Sequence, residues 1–194
     1  MGGRMNRTTF RLAILAGLVF LCSLFAIGAQ WAPFSHAAHP VAFAGMRGVP
    51  GAALFNGMVF VLPGLLLVLG GGRLRAALPV QTRWQPRIGA TLLMLSAMAF
   101  AAQGLLPLDP EDIDAGTSSL HATAWTVWWI AFATGAVLYA RASLVEHLVA
   151  VGAVLLVLLI TLFGREWMPA GIAQRVAFSV WFGWFVYAAW CERR

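Results

Sequence analysis

Apolar residues run along this chain in long blocks, with charge, proline and glycine gathered between them. A helix needs roughly 20 mostly apolar residues to cross a hydrocarbon core about 30 Å thick. Six blocks approach that length: approximately Phe10 to Gln30, Ala52 to Gly70, Ile88 to Leu106, Leu120 to Ala140, His147 to Gly164, and Val176 to Trp190. The fifth is the clearest, since Leu148 to Phe163 carries no charge; the sixth is the shortest and the richest in aromatics. None alternates with period two, which argues against a barrel, whereas helices satisfy every backbone group internally, as lipid requires. The pattern predicts an all-α polytopic transmembrane bundle of six helices with short loops. Residues 1–194 then form a single integral membrane domain, because no soluble unit fits in the connections, the longest of which lies near Trp31 to Gly51.

Composition agrees. Apolar types make up 61% of the 194 residues and charged types 10%, and mean hydropathy is +0.81. A soluble domain carries about 25% charged residues, so disorder, collagen-like repeats and most soluble enzymes are excluded. All 13 cationic side chains are arginine. Without lysine there is neither a Schiff base nor a phosphate loop of the GK[ST] type. The net charge of +6 forms no basic stripe that would point to nucleic acid.

Arginine placement sets an expected orientation. Arg4, Arg7, Arg11, Arg73, Arg75, Arg83, Arg87, Arg141, Arg193 and Arg194 fall on one side, and Arg47, Arg165 and Arg175 on the other, with Asp109, Glu111, Asp112, Asp114 and Glu166. The expectation is an inner-membrane protein with both termini cytoplasmic. Trp31 and Trp167 fit interfacial anchors on the outer face, and Trp84 and Trp190 on the inner. A basic start followed by an apolar stretch imitates a signal peptide, but the stretch is too long for a usual h-region. Cys22 is mid-helix and Cys191 near the cytoplasm, so no disulfide is expected between them.

Ionisable groups near lipid need a reason. His36 and His39, in Ser35-His-Ala-Ala-His-Pro40, and His121, opening the fourth helix, fall on the outer side beside Asp109. As metal ligands, His36, His39 and His121 suit zinc; as catalytic groups, Asp109 and His121 suit general acid and base work. Solvated loop histidines and a capping carboxylate account for the same residues. Thr117, Ser118 and Ser119 offer helix N-caps that leave His121 free to face inward. Trp125 and Trp128, with Trp129 beside them, form one aromatic face, and Phe178, Trp181, Phe182 and Phe185 another. Their meeting would make an apolar cavity for a lipid tail, or simply a packed core. Gln174 and Arg175 open the sixth helix, where Arg175 suits an anionic headgroup or an ion pair with Asp109. Asn56 and Gln103 are expected to hydrogen-bond neighbouring helices, Pro63 to kink the second helix, and Gly57 and Gly64 to permit close approach. Glu146 and His147 read as a solvated cytoplasmic turn.

The stretch Gly104-Leu-Leu-Pro-Leu-Asp-Pro110, then a polar loop and Leu120-His121 opening a Trp- and Ala-rich helix, resembles the signature of the domain of unknown function 998 family, six-helix membrane proteins of bacteria and archaea. Gln174-Arg175 and Asn56-Gly57 resemble that pattern as well. The resemblance runs from about Gly45 onward and implies a six-helix bundle with Asp109, His121 and Arg175 at the extracytoplasmic end. It implies no activity, and His36 and His39 have no counterpart in it. Three classes of function remain open: a binder or carrier of a lipid or other hydrophobic molecule, a metal-dependent or acid/base hydrolase or transferase acting on a lipid, and a structural subunit of a membrane complex.

Overall fold

A computed structural model describes residues 2–140 and 143–192, with side chains from residue 7 onward. Arg141, Arg193 and Arg194 lie outside the described residues, as does the side chain of Arg4. The described chain is all-helical. Its six long helices are α1 (Gly2–Gly28), α2 (Ala52–Ala76), α3 (Trp84–Leu105), α4 (Gly116–Tyr139), α5 (Leu144–Trp167) and α6 (Ala170–Cys191). A 3-10 turn, Val41–Gly45, interrupts the connection between α1 and α2.

Most of these helices outrun the apolar blocks. Thus α2 continues through Arg73 and Arg75, α3 starts at Trp84 and α6 at Ala170, so that Gln174 and Arg175 stand inside the last helix. Helical propensity does not stop where hydrocarbon does, since arginine is nearly as good a helix former as leucine. At α5 the start is set by an N-cap: the Ser143 hydroxyl accepts from the Glu146 amide at 3.2 Å. By contrast α4 begins without a side-chain cap. Ala115 precedes it, Gly116 takes φ +56°, the Thr117 hydroxyl is buried without a partner, and Ser118 is used elsewhere. The caps expected from Thr117, Ser118 and Ser119 are therefore not made.

Five helices, α1 to α5, are long and apolar enough to cross a membrane, as expected of a multi-pass membrane protein. Tryptophan, glycine and the Gln174-Arg175 pair leave α6 outside that group despite its length. Burial ranks the helices. In the apolar window of α3, 56% of residues are buried, against 28% in α1 and α5, so α3 is central and the other two show broad flanks.

Between helices in lipid there is no hydrophobic drive, so close van der Waals fit must hold them together. Glycine supplies it where α3 meets α4. A Cβ at Gly89 would come within 2.6 Å of the Tyr139 nitrogen and 2.9 Å of the Gly135 oxygen. Gly64 likewise lies against Ala97 and Ala101, whereas Gly57 meets nothing within 4 Å. Gly57 has a different part: it opens a π-helical turn, Gly57–Val61, just ahead of Pro63. A widened turn accommodates the missing proline N–H and the bulk of its ring. Asn56 does not reach across to a helix; its amide donates to Gly45 O in the 3-10 turn at 2.8 Å.

The centre is aromatic. Phe20, Phe60 and Phe100, from α1, α2 and α3, surround Phe178 of α6 with ring centroids 5.0 to 6.3 Å apart, mostly edge to face. Within it sits one satisfied polar chain. Trp181 Nε1 donates to Ser96 Oγ at 3.0 Å, and Ser96 donates to Trp128 O at 2.9 Å, tying α3, α4 and α6 together.

Candidate functional site

The connections 29–51, 106–115 and 168–169 share one end of the molecule, joined by direct bonds such as Arg47 N to Leu108 O at 2.9 Å and Ile172 N to Ala37 O at 3.2 Å. The described arginines of the other end are Arg7, Arg11, Arg73, Arg75, Arg83 and Arg87. Arg87 there binds the 79–82 turn, donating to Pro79 O and Val80 O at 3.0 Å.

At the loop-rich end His36, His39, Gln174 and Arg175 come together. Arg175 Nη1 donates to Gly171 O at 2.7 Å and to His39 O at 3.1 Å, while Nη2 faces His36 Nδ1 at 3.2 Å. Its guanidinium also lies 5.5 Å from the Phe34 ring centroid, a cation–π distance. Gln174 Oε1 accepts from Val41 N at 2.7 Å, and His39 Nδ1 accepts from Ser35 N at 3.0 Å. The loop presses so closely on α6 that a Cβ at Gly171 would come within 2.5 to 2.7 Å of the carbonyl oxygens of His39, Ala37 and His36. These residues form a staple. Facing an arginine, His36 is held neutral: burial first, and then the Arg175 charge, push its pKa below the ordinary 6.5.

Asp109 belongs to a separate group. Its carboxylate pairs with Arg47, not Arg175, at 2.7 Å, and also accepts from Glu111 N at 3.1 Å. Ser118 Oγ accepts from Asp109 N at 2.9 Å, which ties the 106–115 loop to the first turn of α4. His121 is buried, and its Nδ1 stands 2.9 Å from Leu106 O and 3.1 Å from Gln103 O. Two carbonyls on one ring nitrogen require a proton there, so His121 caps the end of α3 and keeps only Nε2 as an acceptor. The Gln103 side-chain nitrogen, expected to bond a neighbouring helix, is buried without a partner. No recorded bond joins Asp109 to His121, or either to Arg175, among the described residues.

The two aromatic faces do meet, with Trp125–Phe178 at 5.5 Å, Trp128–Phe178 at 4.9 Å and Trp128–Trp181 at 5.8 Å. They fill the space between them, and Trp128 and Trp181 are wholly buried. The open volume lies to one side. A cleft of about 230 Å³ is walled by Trp125 of α4, by Ile160, Thr161 and Arg165 of α5, and by Ala173, Gln174 and Ala177 of α6, with Pro40 of the loop above. Trp125 and Gln174 are the expected ligand-binding residues that reach it. None of the expected ligand-binding residues lies on α5, although that helix was the clearest apolar block. One signal was present: Thr161 is the only hydroxyl in the apolar run from Leu148 to Gly164.

Trp167, Trp84 and Trp190 are exposed near helix ends, whereas Trp31 stacks on Phe43 at 5.4 Å and is held by the loop. No group of three or more His, Cys, Asp and Glu side chains close enough to hold a metal ion occurs among the described residues. One nitrogen each of His36 and His39 is already engaged, which leaves metal ligation to their Nε2 atoms.

No curated protein and no solved structure matches this chain. The family model described as protein of unknown function (DUF998) matches residues 14–191, nearly the whole length, and the chain belongs to that family.

Proposed function

We propose that the protein is an inner-membrane six-helix bundle, arginine-rich end and both termini in the cytoplasm, that binds a lipid or other hydrophobic molecule in its extracytoplasmic half. The observation that carries this is the graded wall of the cleft. Arg165 at its mouth is exposed, while Ile160, Ala173 and Ala177 within are 5% exposed or less. An amphiphile has the same gradient, wet at one end and apolar at the other. Two other hollows differ. One, between α1 and the start of α2, has no charged residue in its wall. The other, beside Arg7 and Arg11, shares the charged-to-apolar gradient but is walled by α1 alone, with Ile14, Leu15 and Leu18 36% exposed or more, so it has no buried floor. The six described arginines at one end, against Arg47, Arg165 and Arg175 at the loop-rich end, support that orientation.

Native mass spectrometry of protein extracted in mild detergent tests the reading. Wild type is expected to carry a co-purified adduct, and Ala177→Phe, which fills the cleft, to lose it while its unfolding temperature stays close to wild type. An equal adduct on both proteins would overturn the cleft as the binding place. Reporter fusions at Arg83 and at Asp109 should report opposite compartments.

A further inference from the structure

Taking that cleft as the ligand site, we propose that its occupant is an anionic membrane lipid, headgroup at Arg165 and Gln174, with the start of one acyl chain against Trp125, Ile160 and Ala177.

The polar side chains of the wall can all donate. Among the described residues Arg165 is the sole charged one in the wall, and no carboxylate lines it. The neighbouring Glu166 is exposed and takes no part in the wall, and no ion pair to Arg165 is recorded among the described residues. Gln174 has its oxygen committed to Val41 N, so its amide NH2 is what remains for a ligand.

Thr161 gives an independent sign. Threonines within helices commonly back-bond to the carbonyl four residues earlier. Thr91, Thr123 and Thr126 do so here at 3.0, 2.9 and 2.9 Å. Thr161 does not, and its hydroxyl is buried with no partner. A guanidinium, an amide NH2 and an unengaged hydroxyl call for a ligand rich in acceptors. The first turn of α6, whose Ala170 also lines the cleft, adds the positive end of a helix dipole. Phosphate or carboxylate answers that set, and guanidinium recognises either well.

Size and floor then choose between a soluble anion and a lipid. A buried Ile160 and Ala177 under the donors have nothing to offer a soluble anion. At about 230 Å³ the cleft is smaller than the roughly 300 to 1,000 Å³ of sites that enclose a whole drug-sized ligand. It suits a headgroup and the first part of one chain, with the remainder in the bilayer.

The test is competition between dioleoyl phosphatidylglycerol and dioleoyl phosphatidylcholine for delipidated protein, read by native mass spectrometry. Wild type should prefer the anionic lipid by about fivefold, the size of one partly exposed charge pair. Arg165→Gln should abolish the preference, and Arg83→Gln, the same charge loss at the other end, should retain it. Equal binding of the two lipids by wild type, or a preference that survives Arg165→Gln, would overturn the anionic assignment while leaving the cleft as a binding place. Undiminished retention of both lipids by Ala177→Phe would instead sink the cleft itself.

Discussion

Two hydroxyls in apolar helices have opposite surroundings, and the contrast separates the framework of this protein from its candidate site. Ser96 is fully buried and saturated, accepting from Trp181 and donating to Trp128 O, and the rings around it leave no room. Thr161 belongs to a helix that is largely uncovered and lacks even the backbone bond other threonines make. The cause lies in the partner helices. Gly89 and Gly135 bring α3 and α4 to backbone contact, whereas the contact of α5 with α6 depends on Gly164 against Ala173, where a Cβ would stand 3.2 Å away. Tight glycine contact leaves no room between α3 and α4, and the looser seam leaves a cleft.

The largest effect should come from spoiling the tight seam. In Gly89→Val the new side chain meets backbone on α4, which cannot swing aside as a rotamer can. Overpacking costs about 1 to 3 kcal/mol and occasionally more, and contact with backbone puts this case at the upper end. Folded protein recovered by size-exclusion chromatography should fall steeply, whereas Gly183→Val, where a Cβ meets nothing within 4 Å, should behave as wild type. Equal yields from the two variants would break the distinction between seam and cleft.

Next in size is Ser96→Ala. It strands the buried Trp181 N–H, and an unsatisfied buried donor costs about 1 to 3 kcal/mol. With Trp181→Phe added, the double variant should lose less in thermal unfolding than the two single losses summed, because the stranded donor goes with the indole although the smaller ring leaves a cavity. A double variant less stable than either single one, by their summed effects, would mean the two groups are not coupled.

Why the fold was more legible than the site follows from these residues. Lipid demands uninterrupted apolar length, so the helices stand out in the sequence; their ends do not, because Arg73, Arg75 and Gln174 continue helices past the apolar blocks. Pairing of charges was not legible. Arg175 was the expected ion-pair partner of Asp109, but Arg47 takes that place because Arg47 N bonds Leu108 O, a contact of loop with loop that periodicity does not encode. His36 and His39 were visible as a pair, but their use as part of a staple depends on Gly171 admitting three carbonyls at close range. Thr161 stands out in the sequence only as the one hydroxyl between Leu148 and Gly164, and nothing local distinguishes a back-bonded threonine from a free one.

A smaller effect concerns the loop that roofs the cleft. Because the pKa of His36 is lowered from 6.5 in the folded loop, the docked state binds fewer protons than the released one. Loop docking therefore gains stability with rising pH, is at full strength above about 6.5, and weakens as pH falls through 6.5 toward the lowered value. Charged His36 would face Arg175, with Phe25 and Phe34 as its other close neighbours. Hydrogen-exchange protection of the Val41 and Ile172 amides, corrected for intrinsic rates, should drop between pH 7 and pH 5 in wild type. It should stay level in His36→Asn, and a wild-type profile without slope would remove His36 from the staple.

The smallest effect on stability, and the sharpest on the comparison, belongs to Thr161→Val. The two side chains have nearly the same shape, so the substitution removes a hydroxyl and opens no cavity. Where the hydroxyl is bonded, as at Ser96, its loss strands a partner; where it is buried and unbonded, its loss relieves a desolvated group and costs the fold nothing. The unfolding temperature of Thr161→Val should equal or slightly exceed that of wild type. Retention of phosphatidylglycerol should decline at the same time, since a donor toward the headgroup has gone. Stability and binding moving in opposite directions is the mark of a residue kept for a ligand, as framework residues lose both together. Should Thr161→Val destabilise the protein as Ser96→Ala does, then both hydroxyls serve packing and the contrast between seam and cleft dissolves.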